Sequence, residues 1–207
     1  MKTLILATCF GLAALNLSSA QEMSHFAFNV GGGFTTPLGN TGRNLNDGWN
    51  VGAGAGVNFN SWVGALVDLN YNSFGINGTT LQSIGVPGGG VHVFSATLDP
   101  IVHLTPKSHF DVYVTGGGGL YHRYIDFTQP SAAFVSGYDP YFGFFTAAVP
   151  VTQVIGSYSV NKPGFDAGAG IAFGSIWHGK FFAEAKYNRI TANYHTDYLP
   201  VTFGFRW

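Results

Sequence analysis

Eight segments of the chain alternate between apolar residues and polar or small ones at every second position. The clearest lies at residues 49–59, where Trp, Val, Ala and Phe alternate with Asn and Gly, and the last lies at residues 199–207. The other six begin near Phe26, Val63, Val91, Phe110, Phe165 and Phe181. Because successive side chains of a β-strand point to opposite faces, this pattern predicts strands with one apolar face. The chain is therefore predicted to be an all-β protein of eight strands.

The predicted connections between these strands alternate in length. Three are short, at residues 60–61, 105–108 and 174–179, and three are long, at residues 35–48, 72–90 and 125–163. Transmembrane β-barrels have short periplasmic turns and longer extracellular loops, and an open sheet edge is not viable in hydrocarbon. We therefore predict an eight-stranded antiparallel up-and-down transmembrane β-barrel. Pro100 falls inside the fourth strand, where it cannot donate a ladder hydrogen bond, and we expect a β-bulge there.

Composition separates a membrane barrel from a soluble sheet protein. Only 9% of the residues are charged, whereas about 25% are charged in an ordinary soluble domain. Aromatic residues make up 16%, and the mean hydropathy of +0.18 is too low for a helical membrane protein. A soluble β-sandwich is the alternative, and it would need a polar outer face. The polar faces here are rich in glycine and small residues, as suits a narrow barrel interior.

The first twenty residues have the features of a signal peptide. Lys2 is followed by an apolar stretch at residues 4–15 and then by Ser18, Ser19 and Ala20, a small-residue cleavage site. This stretch is shorter than the roughly 20 residues that a membrane-spanning helix needs. We therefore expect residues 1–20 to be a signal peptide and residues 21–207 to form the barrel domain. Cys9 would be removed with the signal peptide, so we expect neither a disulfide nor thiol chemistry.

Several ionisable residues fall on the inward faces of the predicted strands. They are Asp68, Asp99, Asp111, Asp166, Glu184, Lys186 and Arg206. An isolated buried charge is very costly, so such groups must pair. We predict an interior salt-bridge network centred on Lys186, with Arg206 closing the periplasmic end. The network either fills and holds the barrel or gates ions, and the excess of carboxylates suggests that one is protonated or that His103 contributes.

The connection at residues 125–163 is too apolar for an idle aqueous loop. Its candidate partner-binding residues are Tyr138, Tyr141, Phe142, Phe144 and Phe145. Residues 141–146 and 149–159 could pair as a hairpin that projects above the membrane and captures a partner by strand addition. The alternative is that these aromatic residues cover the barrel mouth or lie in the outer-leaflet interface.

The chain from about residue 24 to residue 207 resembles a known family. The signal peptide, the eight strands and the ending Tyr-Leu-Pro-Val-Thr-Phe-Gly-Phe-Arg-Trp are similar to those of small outer-membrane β-barrel proteins, which include OmpA-type transmembrane domains, OmpX and opacity-type surface proteins. The resemblance implies a place in the outer membrane of a Gram-negative-type bacterium, in contact with lipid and lipopolysaccharide. Phe203, Phe205 and Trp207 are similar to the signal that the barrel assembly machinery recognises. Arg189, outward by parity, could meet a lipopolysaccharide phosphate or extend to water.

The sequence itself indicates no catalytic, cofactor or metal site. Outer-membrane lipid A deacylases use a His-x-Ser pair on one strand, which this chain lacks, and the nearest match, His103 with Thr105, lies at a periplasmic turn. His195 and Asp197 lie at the rim, where outer-membrane proteases place such groups, but eight strands make a poor cleft. His92 and His103 are an odd number of residues apart on one strand, so they point to opposite faces and cannot bind one metal ion together. We therefore predict no enzyme and no cofactor.

Function is predicted from these features together. The 10 acidic and 9 basic residues nearly balance and form no basic cluster, so we expect no nucleic acid partner. The family resemblance allows anchors, adhesins, small pores and enzymes. We predict a structural or surface-interaction barrel with a closed interior, whose extracellular loops bind a protein or another surface ligand. The alternatives are a narrow pore gated by the interior charges and, third, a lipid-modifying enzyme.

Overall fold

Eight antiparallel strands close into a barrel in the computed structural model, which describes residues 25–106, 110–176, 179–191 and 195–207. The strands are β1 (His25–Pro37), β2 (Leu45–Asn58), β3 (Val63–Ile76), β4 (Gly88–His103), β5 (Phe110–Asp139), β6 (Gly143–Ile176), β7 (Gly179–Ile190) and β8 (Thr196–Arg206). Two short helices, α1 (Gly39–Gly42) and α2 (Gly78–Ser83), lie in the connections after β1 and β3. Each strand pairs with the next, and β1 pairs with β8. The predicted fold class is confirmed, whereas the predicted signal peptide lies outside the described residues.

None of the helices in the described ranges has both the length and the apolar character needed to cross a membrane.

The connection predicted at residues 125–163 is instead a continuation of two strands. β5 has 30 residues and β6 has 34, and they pair without interruption by a loop as far as Asp139 and Gly143. The predicted pairing of residues 141–146 with 149–159 is wrong, because residues 143–146 and 149–159 all belong to β6, and residues 141 and 142 lie in the turn before it. The turn forms earlier, where Asp139 Oδ1 accepts hydrogen bonds from the backbone N–H groups of Tyr141 (2.8 Å) and Phe142 (3.0 Å). Gly143 has a φ of 82°, which glycine adopts readily.

The bulge predicted at Pro100 is also wrong. Pro100 pairs with Ala65 of β3, and the register with β5 is the same before and after it, from Leu98 with Gly118 to Ile101 with Thr115. The proline therefore interrupts the ladder to one neighbour without inserting a residue.

Inward-facing side chains fill the barrel in layers. One apolar layer, near the short turns, consists of Ala27, Leu66, Ile101, Tyr113, Ala172 and Phe182. A second, near the long hairpin, consists of Leu45, Phe74, Val91, Val93, Tyr121, Ile190 and Tyr198. The inward-facing positions of β7 run from Phe182 in the first layer, past Lys186, to Ile190 in the second layer. A polar layer therefore lies between two apolar layers.

Two interior glycines make room for the largest side chains of these layers. A Cβ atom at Gly170 would overlap the ring of Tyr113, and one at Gly164 would lie 2.7 Å from the ring of Tyr121. Both tyrosines are fully buried. The narrow lumen can therefore hold these rings only because the facing β6 positions lack a side chain.

Candidate functional site: interior charges and outer hairpin

Lys186 lies at the centre of the polar layer. Its Nζ is 2.7 Å from Asp68 Oδ2 of β3, 2.7 Å from Asp99 Oδ2 of β4 and 3.6 Å from Glu184 Oε1. β3 and β4 are not neighbours of β7 in the barrel, so the lysine crosses the lumen to reach them. These four residues, here called the Lys186 cluster, link opposite walls of the barrel.

Neutral polar groups surround the cluster and share its hydrogen bonds. Thr97 donates to Asp99 Oδ2 (3.1 Å), and Asn29 donates to Asp68 Oδ1 (3.3 Å). The hydroxyl of Tyr121 lies 3.2 Å from Asp166 Oδ2 and 3.1 Å from Asn188 Oδ1. Carboxylates in this layer therefore have hydrogen-bond donors in addition to the ammonium group, as buried charges require.

Arg206 closes the cluster toward the short turns. Its Nη2 is 4.0 Å from Glu184 Oε2, and its Cζ lies 4.4 Å from the ring centroid of Tyr113 and 5.5 Å from that of Phe182. A guanidinium group over an aromatic face is a cation–π contact. The arginine therefore joins the charged layer to the apolar layer below it.

Asp111 does not join the Lys186 cluster. Its Oδ2 is 2.6 Å from Nδ1 of His103, near the short turns. The sequence placed Asp111 in the network and offered His103 as a helper. The structure instead pairs these two residues with each other, because both lie at the turn-side ends of the adjacent strands β4 and β5.

Cavities lie at both ends and at the centre of the barrel within the described residues. One of about 460 Å³ opens at the short turns, beside Asp111 and Arg206. Another, of about 310 Å³, opens at the opposite end, between Arg123, His195 and α1. The central cavity, beside Lys186, measures about 30 Å³. A volume of that order holds about one water molecule, so the two apolar layers and the cluster obstruct the lumen.

The paired ends of β5 and β6 project beyond the rest of the barrel. β4 pairs with β5 only as far as Thr128, and β7 pairs with β6 only from Gly164. Residues 129–153, here called the outer ribbon, therefore have two unpaired strand edges. Eleven residues on the β5 side, 129–139, reach about 35 Å at roughly 3.3 Å per residue.

Large aromatic side chains crowd the tip of the outer ribbon. Tyr141, Phe142 and Phe144 are 91%, 89% and 88% exposed. Tyr138 and Phe144 stack edge to face with ring centroids 5.1 Å apart, and Phe145 is also exposed. The sequence named these five residues, and the structure places all of them at the tip rather than over the barrel mouth.

The aromatic residues of β8 lie on the outer wall. Phe203 and Trp207 are half exposed, and the Phe205 ring centroid lies 5.5 Å from that of Phe181 and 5.4 Å from that of Trp207. Their outward orientation is the one expected from the alternation. Recognition of Phe203, Phe205 and Trp207 by the assembly machinery stays a prediction.

Two outward-facing polar groups were not predicted from the sequence. Arg189 Nε lies 3.0 Å from Asp197 Oδ1, its cross-strand neighbour on β8. His92 Nδ1 lies 3.1 Å from Ser73 Oγ and 2.8 Å from the Tyr71 hydroxyl. These groups come from neighbouring strands, so no spacing within one strand reveals them. The sequence does show that each of these residues falls on the outward face of its strand, because it lies an even number of positions from outward apolar residues.

Among the described residues, no group of three or more His, Cys, Asp or Glu side chains is arranged to hold a metal ion.

Comparison with solved structures finds barrels of the same kind. Neisserial surface protein A is 13% identical, with a TM-score of 0.55 over 87% of this chain and 95% of that one. The attachment invasion locus protein Ail of Yersinia pestis is 15% identical, with a TM-score of 0.50 over 89% of this chain and 99% of that one. The outer membrane protein OprG of Pseudomonas aeruginosa is 13% identical, with a TM-score of 0.47 over 90% and 98%. No protein with a curated description matches the sequence.

The sequence comparison assigns the family. Residues 5–206 match the family described as the outer membrane protein beta-barrel domain, which is nearly the whole chain. This agrees with the closed ring of eight strands and with the resemblance noted from the sequence. The chain therefore belongs to the outer membrane protein β-barrel family and is a protein of the Gram-negative outer membrane.

Proposed function

We propose that the protein acts at the cell surface by binding an extracellular protein through its outer ribbon. The exposed aromatic tip carries the proposal, because the side chains of Tyr141, Phe142 and Phe144 are almost fully exposed. Aromatic residues dominate the energetics of protein interfaces when a partner buries them. A cluster of this size, left in water without a role, would favour aggregation.

The chemistry of the outer ribbon favours a protein over a charged ligand. Between Asp126 and Lys162 the only charged residue in the sequence is Asp139. Polyanions and phosphate groups are attracted by clustered basic residues, which this segment does not have. A ribbon with a single acidic residue and unpaired strand edges instead offers backbone N–H and C=O groups and apolar side chains, the elements of strand addition.

The barrel serves this role as a closed support. The Lys186 cluster and the apolar layers on either side leave a central cavity of about 30 Å³. This role is one of binding and needs no catalysis. A name such as attachment invasion locus protein describes a surface role for that Yersinia protein, but the support here is the ribbon itself.

Lipid, lipopolysaccharide and the assembly machinery are further proposed partners. The outward faces of the strands carry exposed apolar residues, such as Phe28, Val51, Leu69 and Phe165, which suit the hydrocarbon layer. Arg189 is paired with Asp197, so a lipopolysaccharide phosphate would have to compete with that carboxylate.

Adhesion of whole cells tests the proposal. Bacteria that display the wild-type protein are applied to surfaces coated with purified extracellular-matrix proteins, and their retention is compared with that of a strain lacking the barrel. We expect retention by the wild type and its loss in the variant Tyr141→Ser, Phe142→Ser, Phe144→Ser. The matched control Ser131→Ala, Thr152→Ala changes the ribbon without touching the tip and should keep retention. Equal retention of the wild type and the tip variant would contradict the proposal.

A further inference from the structure

The outward-facing group at His92 contains the components of a hydrolytic triad. Asp126 Oδ1 lies 3.0 Å from His92 Nε2, and Ser73 Oγ lies 3.1 Å from His92 Nδ1. If Nε2–H donates to the carboxylate, Nδ1 carries the lone pair, and this nitrogen faces the hydroxyls of both Ser73 and Tyr71 and can accept a proton from the serine. Carboxylate, imidazole and hydroxyl in this order are the arrangement that activates a serine, and it is recognised by geometry and not by sequence position.

The sheet register holds the three residues in place. Ser73 on β3 is directly opposite His92 on β4, and Asp126 on β5 is opposite Gly90, two residues before the histidine on the same face. Residues two apart on a strand share a face, so all three side chains project from the outer wall. The His92 side chain is 30% exposed and that of Asp126 15% exposed. The group is therefore sheltered but open to a substrate.

Two glycines, Gly75 and Gly90, leave an open space on the outer wall next to the group, on the side toward the outer ribbon. Gly75 and Gly90 pair with each other in the next row, where neither has a side chain. A Cβ atom at Gly90 would lie 3.2 Å from His92 Nε2 and 3.3 Å from Asp126 Oδ1. Any larger residue at Gly90 would cover the imidazole edge. The missing side chain at Gly90 therefore leaves room for the Asp126 carboxylate at Nε2. Gly75, where an added Cβ atom would meet only Asn46 Nδ2 at 3.7 Å, leaves the outer wall open on the Ser73 side.

Aromatic residues place the group at the membrane interface. Trp49 and Tyr71 contact each other with ring centroids 5.3 Å apart, and the His92 ring stacks with those of Tyr71 (5.9 Å) and Tyr124 (6.1 Å). Girdles of aromatic residues mark the interfaces of transmembrane barrels. This girdle lies at the end with the outer ribbon, hence at the outer leaflet. Ester groups of membrane lipids lie at the same depth, between head group and acyl chain.

We propose that Ser73, His92 and Asp126 form a hydrolytic site for acyl esters of outer-leaflet lipids. The Ser73 oxygen attacks the ester carbonyl carbon while its proton passes to His92 Nδ1. The ester C–O bond then breaks, the leaving alcohol oxygen takes that proton, and the acyl group stays on Ser73. Water attacks the acyl-enzyme and transfers a proton to His92. The fatty acid leaves as Ser73 regains that proton.

Tyr71 and Asp126 have supporting roles in this site. The Tyr71 hydroxyl is 2.8 Å from the same nitrogen as the Ser73 hydroxyl, so it lies beside the nucleophile. It is placed to donate a hydrogen bond to the oxyanion that forms on the carbonyl oxygen. Asp126 is a positioning residue that fixes the imidazole tautomer.

Covalent labelling tests the nucleophile. The folded barrel domain, residues 21–207, in vesicles that contain lipopolysaccharide is treated with a fluorescent fluorophosphonate, and electrophoretic mobility without heating verifies that each variant is folded. We expect labelling of the wild type and none of Ser73→Ala. The matched control is Ser159→Ala, an outward serine on β6 in the same row, opposite Tyr124, and it should be labelled like the wild type. Labelling that survives Ser73→Ala would overturn the assignment.

Hydrolysis tests the chemistry and separates the lipid sources. We expect p-nitrophenyl laurate hydrolysis to fall about 100-fold or more in Ser73→Ala and His92→Gln. Asp126→Asn should lower kcat more than it raises KM. Fatty acid release is measured by mass spectrometry from phospholipid vesicles and, separately, from vesicles that contain lipopolysaccharide. Release from either supports the site and identifies the lipid. A folded wild type that is unlabelled and releases fatty acid from neither would overturn the proposal.

Discussion

Lys186 on β7 places its ammonium nitrogen 2.7 Å from the carboxylate of Asp99 on β4, across the lumen, and Asp99 is completely buried. The pair joins walls of the barrel that share no backbone hydrogen bonds. In a closed sheet the strands already satisfy one another's backbone groups. Backbone hydrogen bonds join only neighbouring strands, so they do not fix the distance between opposite walls. The Lys186 cluster connects these walls and therefore helps to set the shape of the barrel cross-section.

Removal of the ammonium group should destabilise the barrel. We expect Lys186→Met to lower the free energy of unfolding by about 3–5 kcal/mol, because the Asp68 and Asp99 carboxylates lose their shared cation. The measurement is urea unfolding of the refolded protein in vesicles. Lys162→Met is the control and should change the value by less than about 0.5 kcal/mol. Adding Asp68→Asn and Asp99→Asn to Lys186→Met should recover part of the loss, and a triple variant less stable than the single one would contradict this account.

The refolded barrel should not conduct ions steadily. The central cavity of about 30 Å³ lies between two apolar layers, and moving an ion through it would require its dehydration. Single-channel recording of residues 21–207 in a planar bilayer checks this. Steady conductance that changes in Lys186→Ala or Glu184→Ala would favour the pore alternative, in which the interior charges gate ions.

A methyl group added at Gly170 should strain the barrel. The Cβ of Gly170→Ala would overlap the Tyr113 ring, which is buried and also contacts the Arg206 guanidinium group. Overpacking of this kind costs about 1–3 kcal/mol. The control is Gly78→Ala on α2, where an added Cβ meets nothing within 4 Å. Comparable unfolding free energies for the two variants would mean that Tyr113 can move aside.

Protease treatment of intact cells should locate the outer ribbon. Chymotrypsin cleaves after aromatic residues and should cut at Tyr141, Phe142 or Phe144, which are almost fully exposed. Trypsin should leave the ribbon whole, because no Lys or Arg lies between Arg123 and Lys162 in the sequence. The fragments are identified by mass spectrometry. Resistance to chymotrypsin on cells, with cleavage only after cell lysis, would place the ribbon on the periplasmic side.

Deletion of the ribbon should leave the barrel folded. Residues 130–152 can be replaced by Asn-Gly, which joins Gln129 to Gln153, a directly paired position. We expect the free energy of unfolding to change by less than about 1 kcal/mol, since the removed residues make no ladder contacts with β4 or β7. Thermal unfolding followed by circular dichroism measures this. Loss of the folded species would show that the ribbon takes part in barrel folding.

The barrel itself could be predicted because its physical signal is local. Each strand carries the alternation within its own residues, and parity alone puts Asp68, Asp99 and Lys186 on one side. The ends of β5 and β6 were missed for the opposite reason. A strand length of about ten residues is set by the bilayer, and the ribbon lies outside it, where that limit does not apply.

Groups assembled across strands could not be predicted in the same way. Ser73, His92 and Asp126 come together only through the register of three strands, and Arg189 with Asp197 through that of two. Register is set by the pairing of whole strands and not by the spacing of residues along one of them. The pairing of Asp111 with His103 was missed for the same reason.

The seam between β1 and β8 affects how the protein is made. Phe28 and Trp207 exchange two backbone hydrogen bonds, of 2.7 and 2.9 Å, and the register continues along the seam to Pro37 and Tyr198. These partners are almost as far apart along the chain as any two described residues. No closed barrel can exist until β8 has been synthesised, so translation and folding cannot overlap at this step. Until the two ends meet, the apolar outer faces of the strands belong to an open sheet, and such exposed faces and edges favour aggregation.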